Sequence, residues 1–178
     1  VPGAVRYKCL NCGECCNRLL IDRQGVRKGL TLLPGETELF REDRIRPGYG
    51  IGADPGDAGF ETIAYQMREN ACPHRQRGGC RVWSYRPAIC RAYPFMPVIT
   101  QGRTVLRVYD LACTSLKEYI GRYPNDILNF DPDSVQDEVA YCDEISRITQ
   151  RLLDNPGRAW FYDLKTEEWV RFESMLGP

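Results

Sequence analysis

CLNCGECC, residues 9–16, places Cys9, Cys12, Cys15 and Cys16 in one tight loop. Two C-x2-C steps share Cys12, and a two-residue gap lets the chain curl so that both sulfurs reach one ion about 2.3 Å away. Working outward, four more cysteines follow at Cys72, Cys80, Cys90 and Cys113, which leaves only Cys142 outside the two groups. Consecutive side chains project in different directions, so Cys15 and Cys16 do not easily serve the same ion. The simplest count is therefore two four-ligand centres. One takes Cys9, Cys12, Cys15 and a distant fourth cysteine; the other takes Cys16 and the remaining members of the second group. A single centre drawing on four of these residues is the alternative.

Disulfides are the competing use of cysteine. They need an oxidising compartment, normally reached through a signal sequence. The start, VPGAVRYK, lacks the apolar core of such a segment and reads as an amino terminus from which an initiator Met was removed. The cysteine count is odd, and the adjacent pair Cys15–Cys16 is awkward to cross-link. Metal ligation in a reducing cytoplasm is the expectation. A chain of 178 residues reads as a single domain, 1–178, large enough to bury roughly 70% of its unfolded surface without help from a metal. No run approaches the 18 or so apolar residues of a membrane span, so no membrane partner is expected.

Formal net charge is zero but uneven. From Asn70 to Tyr109 there is no Asp or Glu, while Arg75, Arg77, Arg81, Arg86, Arg91, Arg103 and Arg107 supply seven positive charges. Such a stretch can face an anionic partner such as nucleic acid. It can also offset thiolate charge, because four thiolates around a doubly charged ion leave net negative charge that arginine N–H groups stabilise. The positive charge follows the cysteines, which favours the second reading, and no RNA-binding signature or helix-turn-helix accompanies it.

The overall expectation is an α+β fold: a small, irregular, cysteine-rich metal-binding domain with short strands, a long helix in the C-terminal half and a terminal hairpin. Thr31 to Glu42 reads as a short helix with Pro34 near its first turn. Residues 46–59 are rich in glycine and proline and read as a surface loop. FETIAYQMRE alternates Ile63, Tyr65 and Met67 against Thr62, Ala64 and Gln66, which is strand periodicity. A second strand is expected over 102–111, delivering the chain to Cys113. Val135, Val139, Cys142, Ile145, Thr149 and Leu152 form one face of a helix from about Asp133 to Leu153, opened by Asp131-Pro132 and stopped by Asn155-Pro156-Gly157. Cys142 lies on that stripe and reads as core filler. The tail suggests a hairpin turning near Lys165-Thr166, with Trp160, Phe161, Trp169 and Phe172 covering the core.

Thiolates suit zinc and iron–sulfur clusters alike. CLNCGEC has the first two steps of the bacterial ferredoxin run, but residue 19 is Leu where that run has its next cysteine. The same Leu19 breaks the C-x3-C-x2-C loop of radical chemistry. Structural zinc is the alternative to a cluster. His74, the only histidine, reads as a polar loop residue outside the ligand set. Without it no Ser/His/Asp or Cys/His arrangement can be assembled, and GYGIG at 48–52 is not a dinucleotide fingerprint.

These residues resemble the CxxCxxCC family, also called the YkgJ family, of zinc- or iron-chelating proteins. The likeness begins at CLNCGECC and is strongest at CRVWSYRPAICRAYPF, residues 80–95, which is similar to the family's block of Cys, Arg-Pro, Cys-Arg and Pro-Phe positions. Carried across, Cys80, Arg86, Pro87, Cys90, Arg91, Pro94 and Phe95 occupy those positions, with Trp83 where the family usually has Tyr. Cys72 and Cys113 match flanking cysteines. The resemblance covers 7–115 as a metal-binding region and leaves 116–178 as a helix plus hairpin extension. It implies an iron–sulfur or zinc protein; a related region in flagellin lysine methylases adds protein modification as an implied role. Pro87 stiffens the approach to Cys90, and Arg86 and Arg91 can donate hydrogen bonds to thiolate or cluster sulfur.

Two functions follow as expectations. The first is a cytoplasmic iron–sulfur protein, [4Fe-4S] favoured, with one or two centres, serving electron transfer or a redox or protein-modification system through an unidentified redox or protein partner. The second is a zinc-stabilised binding module whose arginine face meets an anionic partner, nucleic acid among the candidates.

Overall fold

The computed structural model describes residues 9–100, 103–108, 113–122 and 136–176. Along the chain these form strands β1 (Ile21–Arg23), β2 (Val26–Lys28), β3 (Thr31–Leu32), β4 (Ile45–Ile51), β5 (Glu61–Met67), β6 (Arg75–Gln76) and β7 (Gly79–Cys80). Helix α1 (Ala88–Ala92), strands β8 (Phe95–Thr100) and β9 (Arg103–Val108), and helices α2 (Thr114–Arg122) and α3 (Gln136–Leu153) follow. The chain closes with β10 (Ala159–Asp163) and β11 (Glu168–Arg171). The fold is α+β. It divides into two compact units, Val1–Cys15 with His74–Ser146 and Cys16–Pro73 with Arg147–Pro178.

The second of these units is built on an antiparallel sheet in the order β11-β10-β4-β5-β3. Tyr49, Ile63, Ala159 and Phe161 from the sheet share a core with Ile148 and Leu152 from the last turns of α3 and with Phe172. Leu19, Leu32, Phe40 and Met67 form another cluster, with Cys72 packed against it.

Strand β5 was expected from its alternation and is present, but its polar side is not solvent-facing: Ala64 and Gln66 are buried. Gln66 is satisfied there. Its Oε1 accepts the Gly29 N–H at 2.8 Å, and its Nε2 donates to the carbonyls of Pro47 at 2.8 Å and Tyr162 at 2.6 Å. A buried amide with every polar atom paired links three strand-bearing segments.

Two sequence expectations need correction. The glycine- and proline-rich stretch 46–59 is a loop only over 52–59; its first half is β4, paired on both sides. The glycines mark close approach, the use of glycine inside a strand that competes with its use in loops. A Cβ on Gly48 would lie 2.9 Å from the Tyr65 carbonyl oxygen, and one on Gly50 would lie 2.2 Å from Phe60 Cζ. The register shifts around Tyr49 are the bulge that such residues accommodate. Secondly, Thr31–Glu42 is not one helix. Thr31 and Leu32 are buried as β3 against Gln66 and Tyr65, and a 3-10 helix begins only at Pro34. Glu36 Oε2 accepts the Leu33 N–H at 2.8 Å and closes that start.

The terminal hairpin turns where expected, with Trp160 opposite Arg171 and Asp163 opposite Glu168. Phe161 and Phe172 are buried, whereas Trp160 lies beneath Arg171 at 3.8 Å and Trp169 packs edge-on to Phe60. Helix α3 is described from Gln136 onward, so the proposed Asp131-Pro132 start and Val135 lie outside the described residues, as do residues 102 and 109–111 of the strand expected over 102–111, whose described part is β9. The unit holding most of the cysteines has a core of Ala92, Phe95, Cys113, Leu116 and Cys142. Cys142, fully buried, occupies the small apolar slot that its place on the helix stripe implies.

Candidate metal centre

None of the nine cysteines is joined in a disulfide among the described residues. The boundary between the compact units falls between Cys15 and Cys16. Cys9, Cys12, Cys15, Cys80, Cys90, Cys113 and the core residue Cys142 belong to one unit, and Cys16 and Cys72 to the other.

In the cysteine-rich unit the loop from Cys9 to Cys15 is shaped by two left-handed residues, Asn11 (φ 55°) and Gly13 (φ 75°). Asparagine and glycine are the residues that tolerate this backbone. The turn lets the Asn11 N–H point back at Cys9 Sγ, 3.5 Å away, and frees the Asn11 side chain to reach the neighbouring hairpin. There Asn11 Oδ1 accepts the Cys80 N–H at 3.1 Å. A Cβ on Gly79 would lie 2.3 Å from Asn11 Nδ2, so only glycine lets the two segments meet.

A second set of bonds ties the loop to the start of α2. Leu10 N–H donates to Ser115 Oγ at 2.7 Å, and Thr114 Oγ1 donates to Glu14 Oε2 at 2.6 Å. Cys113 stands at the head of that helix, its carbonyl accepting the Lys117 N–H at 2.9 Å. This is the helix end that attracts negative charge. Cys9 packs against the core containing Cys113. Burial pushes the Cys9 thiol up, and the neighbouring Cys113 adds to the rise. The Asn11 N–H, the Arg86 charge and the Ser115 hydroxyl act in the opposite direction, favouring the thiolate.

In the other unit Cys72 donates its N–H to the Cys16 carbonyl at 2.8 Å, and Leu19 N–H donates to the Asn70 carbonyl at 3.0 Å. The segment after the loop thus runs beside residues 70–72. The backbone brings cysteines from the two sequence groups together in pairs, Cys9 with Cys113 and Cys16 with Cys72, and places Cys80 on the residue between Cys9 and Cys12. No three His, Cys, Asp or Glu side chains among the described residues stand close enough to share one ion. His74 takes part through its backbone, its carbonyl accepting the Arg81 N–H at 2.9 Å.

The two arginines of the Arg-Pro block divide their roles. Arg86 stacks over the Trp83 ring at 3.8 Å, donates to the Trp83 carbonyl at 2.6 Å, and acts on Cys9 through its charge. Arg91 spends its fork on oxygen: Nε donates to the Arg86 carbonyl at 2.9 Å, Nη2 to the Ser84 carbonyl at 2.8 Å, and Nη1 to the Tyr141 hydroxyl. Asn11, Ser115 and Tyr141 are the supporting residues that motif reading overlooked. An asparagine inside a cysteine loop and a serine two positions after a cysteine are the signals that point to the first two.

The donors fit a thiophilic ion: mostly half-buried sulfurs outside any disulfide among the described residues, with N–H and hydroxyl donors beside Cys9. A family model named CxxCxxCC, described as "Putative zinc- or iron-chelating domain", matches residues 8–114. A protein of Methanocaldococcus jannaschii, "Uncharacterized protein MJ0661", is 27% identical over 109 residues, covering 60% of this chain and 54% of its own length. The chain thus spans about half the length of that curated relative. No solved structure matches the chain. No helix among the described residues is long and apolar enough to cross a membrane.

Proposed function

The chain belongs to the CxxCxxCC family, and from that premise we propose that it is a cysteine-ligated iron–sulfur protein, [4Fe-4S] by preference, serving cytoplasmic electron transfer or a redox or protein-modification system. The carrying observation is the double anchoring of the Cys9–Cys12 loop, through Asn11 to Cys80 and through Leu10 to Ser115 beside Cys113. On this reading one centre draws on Cys9, Cys12, Cys15 and a fourth cysteine from Cys72, Cys80, Cys90 and Cys113, and a second on Cys16 with the remaining three; a single four-thiolate centre is the alternative. When bound, the cluster supplies one-electron redox chemistry.

The protein's part is positioning and charge. Asn11 and Ser115 hold the loop, Arg86 offsets thiolate charge at Cys9, and Arg91 holds the turn carrying Arg86. Anaerobic purification with iron, zinc and acid-labile sulfide counted per chain tests the proposal. Expected are iron and sulfide in equal amounts, colour bleached by dithionite, and loss of both from Cys12→Ala and Cys90→Ala. A colourless protein holding zinc and no sulfide sinks the cluster. It decides for the second reading, a zinc-held module, which the exposed arginines at 75, 77 and 81 support.

A further inference from the structure

The hairpin of β6 and β7 carries cations that no carboxylate among the described residues balances. Arg75 lies in β6, Arg77 in the turn and Arg81 just after β7, and all three are exposed. None makes an ion pair among the described residues. In the sheet-containing unit, by contrast, Arg27, Arg41, Arg44, Arg46, Arg68 and Arg151 each stand within 3.9 Å of a carboxylate oxygen. Three like charges on one short hairpin repel each other, and opposite charge from outside relieves that repulsion.

The hairpin is also joined to the cysteine loop. Cys80 N–H bonds Asn11 Oδ1, and Arg75 Nε lies 2.8 Å from where a Cβ on Gly13 would stand. On that loop Leu10 is 47% exposed and Cys12 is exposed. Cations, an exposed apolar side chain and an exposed thiol therefore occur on two segments bonded to each other.

We infer that the β6–β7 hairpin and the exposed rim of the cysteine loop form the docking face for an acidic patch of another protein, with Arg75, Arg77 and Arg81 facing its carboxylates and Leu10 seated among the contacts. An acidic patch needs to extend no further than the residues 75–81 that carry the three arginines. A nucleic-acid strand runs on past it, over a molecule whose 24 acidic residues all lie outside 70–109 while seven of its 24 basic residues lie inside. Arginine is also among the residues enriched at protein interfaces. Electrostatic pairing of this kind chiefly sets encounter rate and orientation. It brings the partner to the loop that bears Cys12, and it does so whichever ion the thiols hold.

The test uses the full chain purified with its metal, a fluorescent polyglutamate peptide and a fluorescent single-stranded oligonucleotide of equal formal charge. Arg77→Glu/Arg81→Glu leaves Arg75 in place against Gly13; Arg41→Glu/Arg151→Glu is the control. The peptide is expected to bind in a salt-sensitive manner, about tenfold or more weakly to the hairpin variant and unchanged to the control. Metal content stays at the wild-type level in both and the melting midpoint does so in the hairpin variant, which separates failure of this inference from failure of the metal assignment. If the hairpin variant loses metal or fold, Arg77→Ala/Arg81→Ala replaces it. No peptide binding, equal binding by the hairpin variant, or tighter oligonucleotide binding through the same arginines overturns the inference.

Discussion

The backbone N–H of Leu10 and the Oγ of Ser115 meet at 2.7 Å across 105 positions of sequence. Ser115 also hydrogen-bonds to Cys9, so one hydroxyl fixes the loop and conditions its first thiol. Ser115→Ala is expected to release the loop at a cost of about 1 kcal/mol, one hydrogen bond's net worth. Metal affinity should fall with it, by about 10-fold or more as for other supporting residues at metal sites. Competition with a chelator reads the affinity, and hydrogen exchange at the Leu10 amide reads the anchoring. Unchanged exchange in the variant removes Ser115 from this role.

Asn11 holds the loop's other side, and its test separates backbone shape from side-chain bonding. Asn11→Gly keeps access to the left-handed backbone but removes the acceptor for Cys80 N–H. Asn11→Ala removes both. The expected order of metal retention during dialysis against chelator is wild type, then glycine, then alanine. Equal loss in both variants assigns everything to the acceptor.

Gly50 and Phe60 should be coupled. The ring occupies the space a Cβ on Gly50 would need, at 2.2 Å, and it packs edge-on to Trp169 at 4.8 Å. Gly50→Ala is expected to cost about 1–3 kcal/mol by overpacking. Phe60→Ala costs more because it leaves a void. In the double variant the clash is gone, so the penalties should fall short of additivity by about 1 kcal/mol or more in urea midpoints. Strict additivity would falsify the close approach as the reason for glycine in β4.

Those pairs also show how much of the molecule is legible in its sequence. Strand β5, helix α3 and the terminal hairpin are written in local periodicity, and each is present where described. β4 is hidden because glycine and proline report two opposite needs, a turn or a close approach, and only the tertiary neighbours Tyr65 and Phe60 decide between them. Gln66 misleads in the same way: a polar residue on a strand marks the solvent face unless three distant partners are waiting for it. Arg91 is legible as important but not in its role, since its acceptors Ser84 and Arg86 are carbonyls and Tyr141 lies 50 positions away.

Asp163 predicts a pH dependence. Burial on its own pushes this carboxyl up. The N–H groups of Arg27 and Lys165, the Thr166 hydroxyl and the Lys165 charge outweigh that and hold it below its ordinary value. The bonds are 2.7, 2.9 and 3.1 Å long for Arg27, Lys165 and Thr166. A folded-state value lower than the unfolded one, near 3.9, gives stabilisation that is complete above about pH 4 and lost as pH falls through the folded value. Asp163→Asn should lower stability near neutrality by about 1–3 kcal/mol. The gap between wild type and variant should narrow as urea unfolding is repeated towards pH 3. A gap that stays constant means the charge contributes nothing and only shape matters.

Arg91 supplies the sharpest contrast between charge and geometry. If its task is to neutralise thiolates, Arg91→Lys keeps most of the function. If its task is to hold the turn through Ser84 and Arg86 while bonding Tyr141, lysine fails nearly as badly as alanine, because a single ammonium cannot reproduce a planar fork with separate donors. The observed bonds favour the fork. Both substitutions should cost about 2 kcal/mol, the order of one or two bonds from a charged donor at a half-buried site. Tyr141→Phe should cost less, since only the bond from Nη1 is lost while the ring stays under the guanidinium at 4.7 Å. Melting curves give the ranking, and metal per chain at each step shows whether the turn reaches the centre. A lysine variant that matches wild type in both measurements returns Arg91 to the simple electrostatic role.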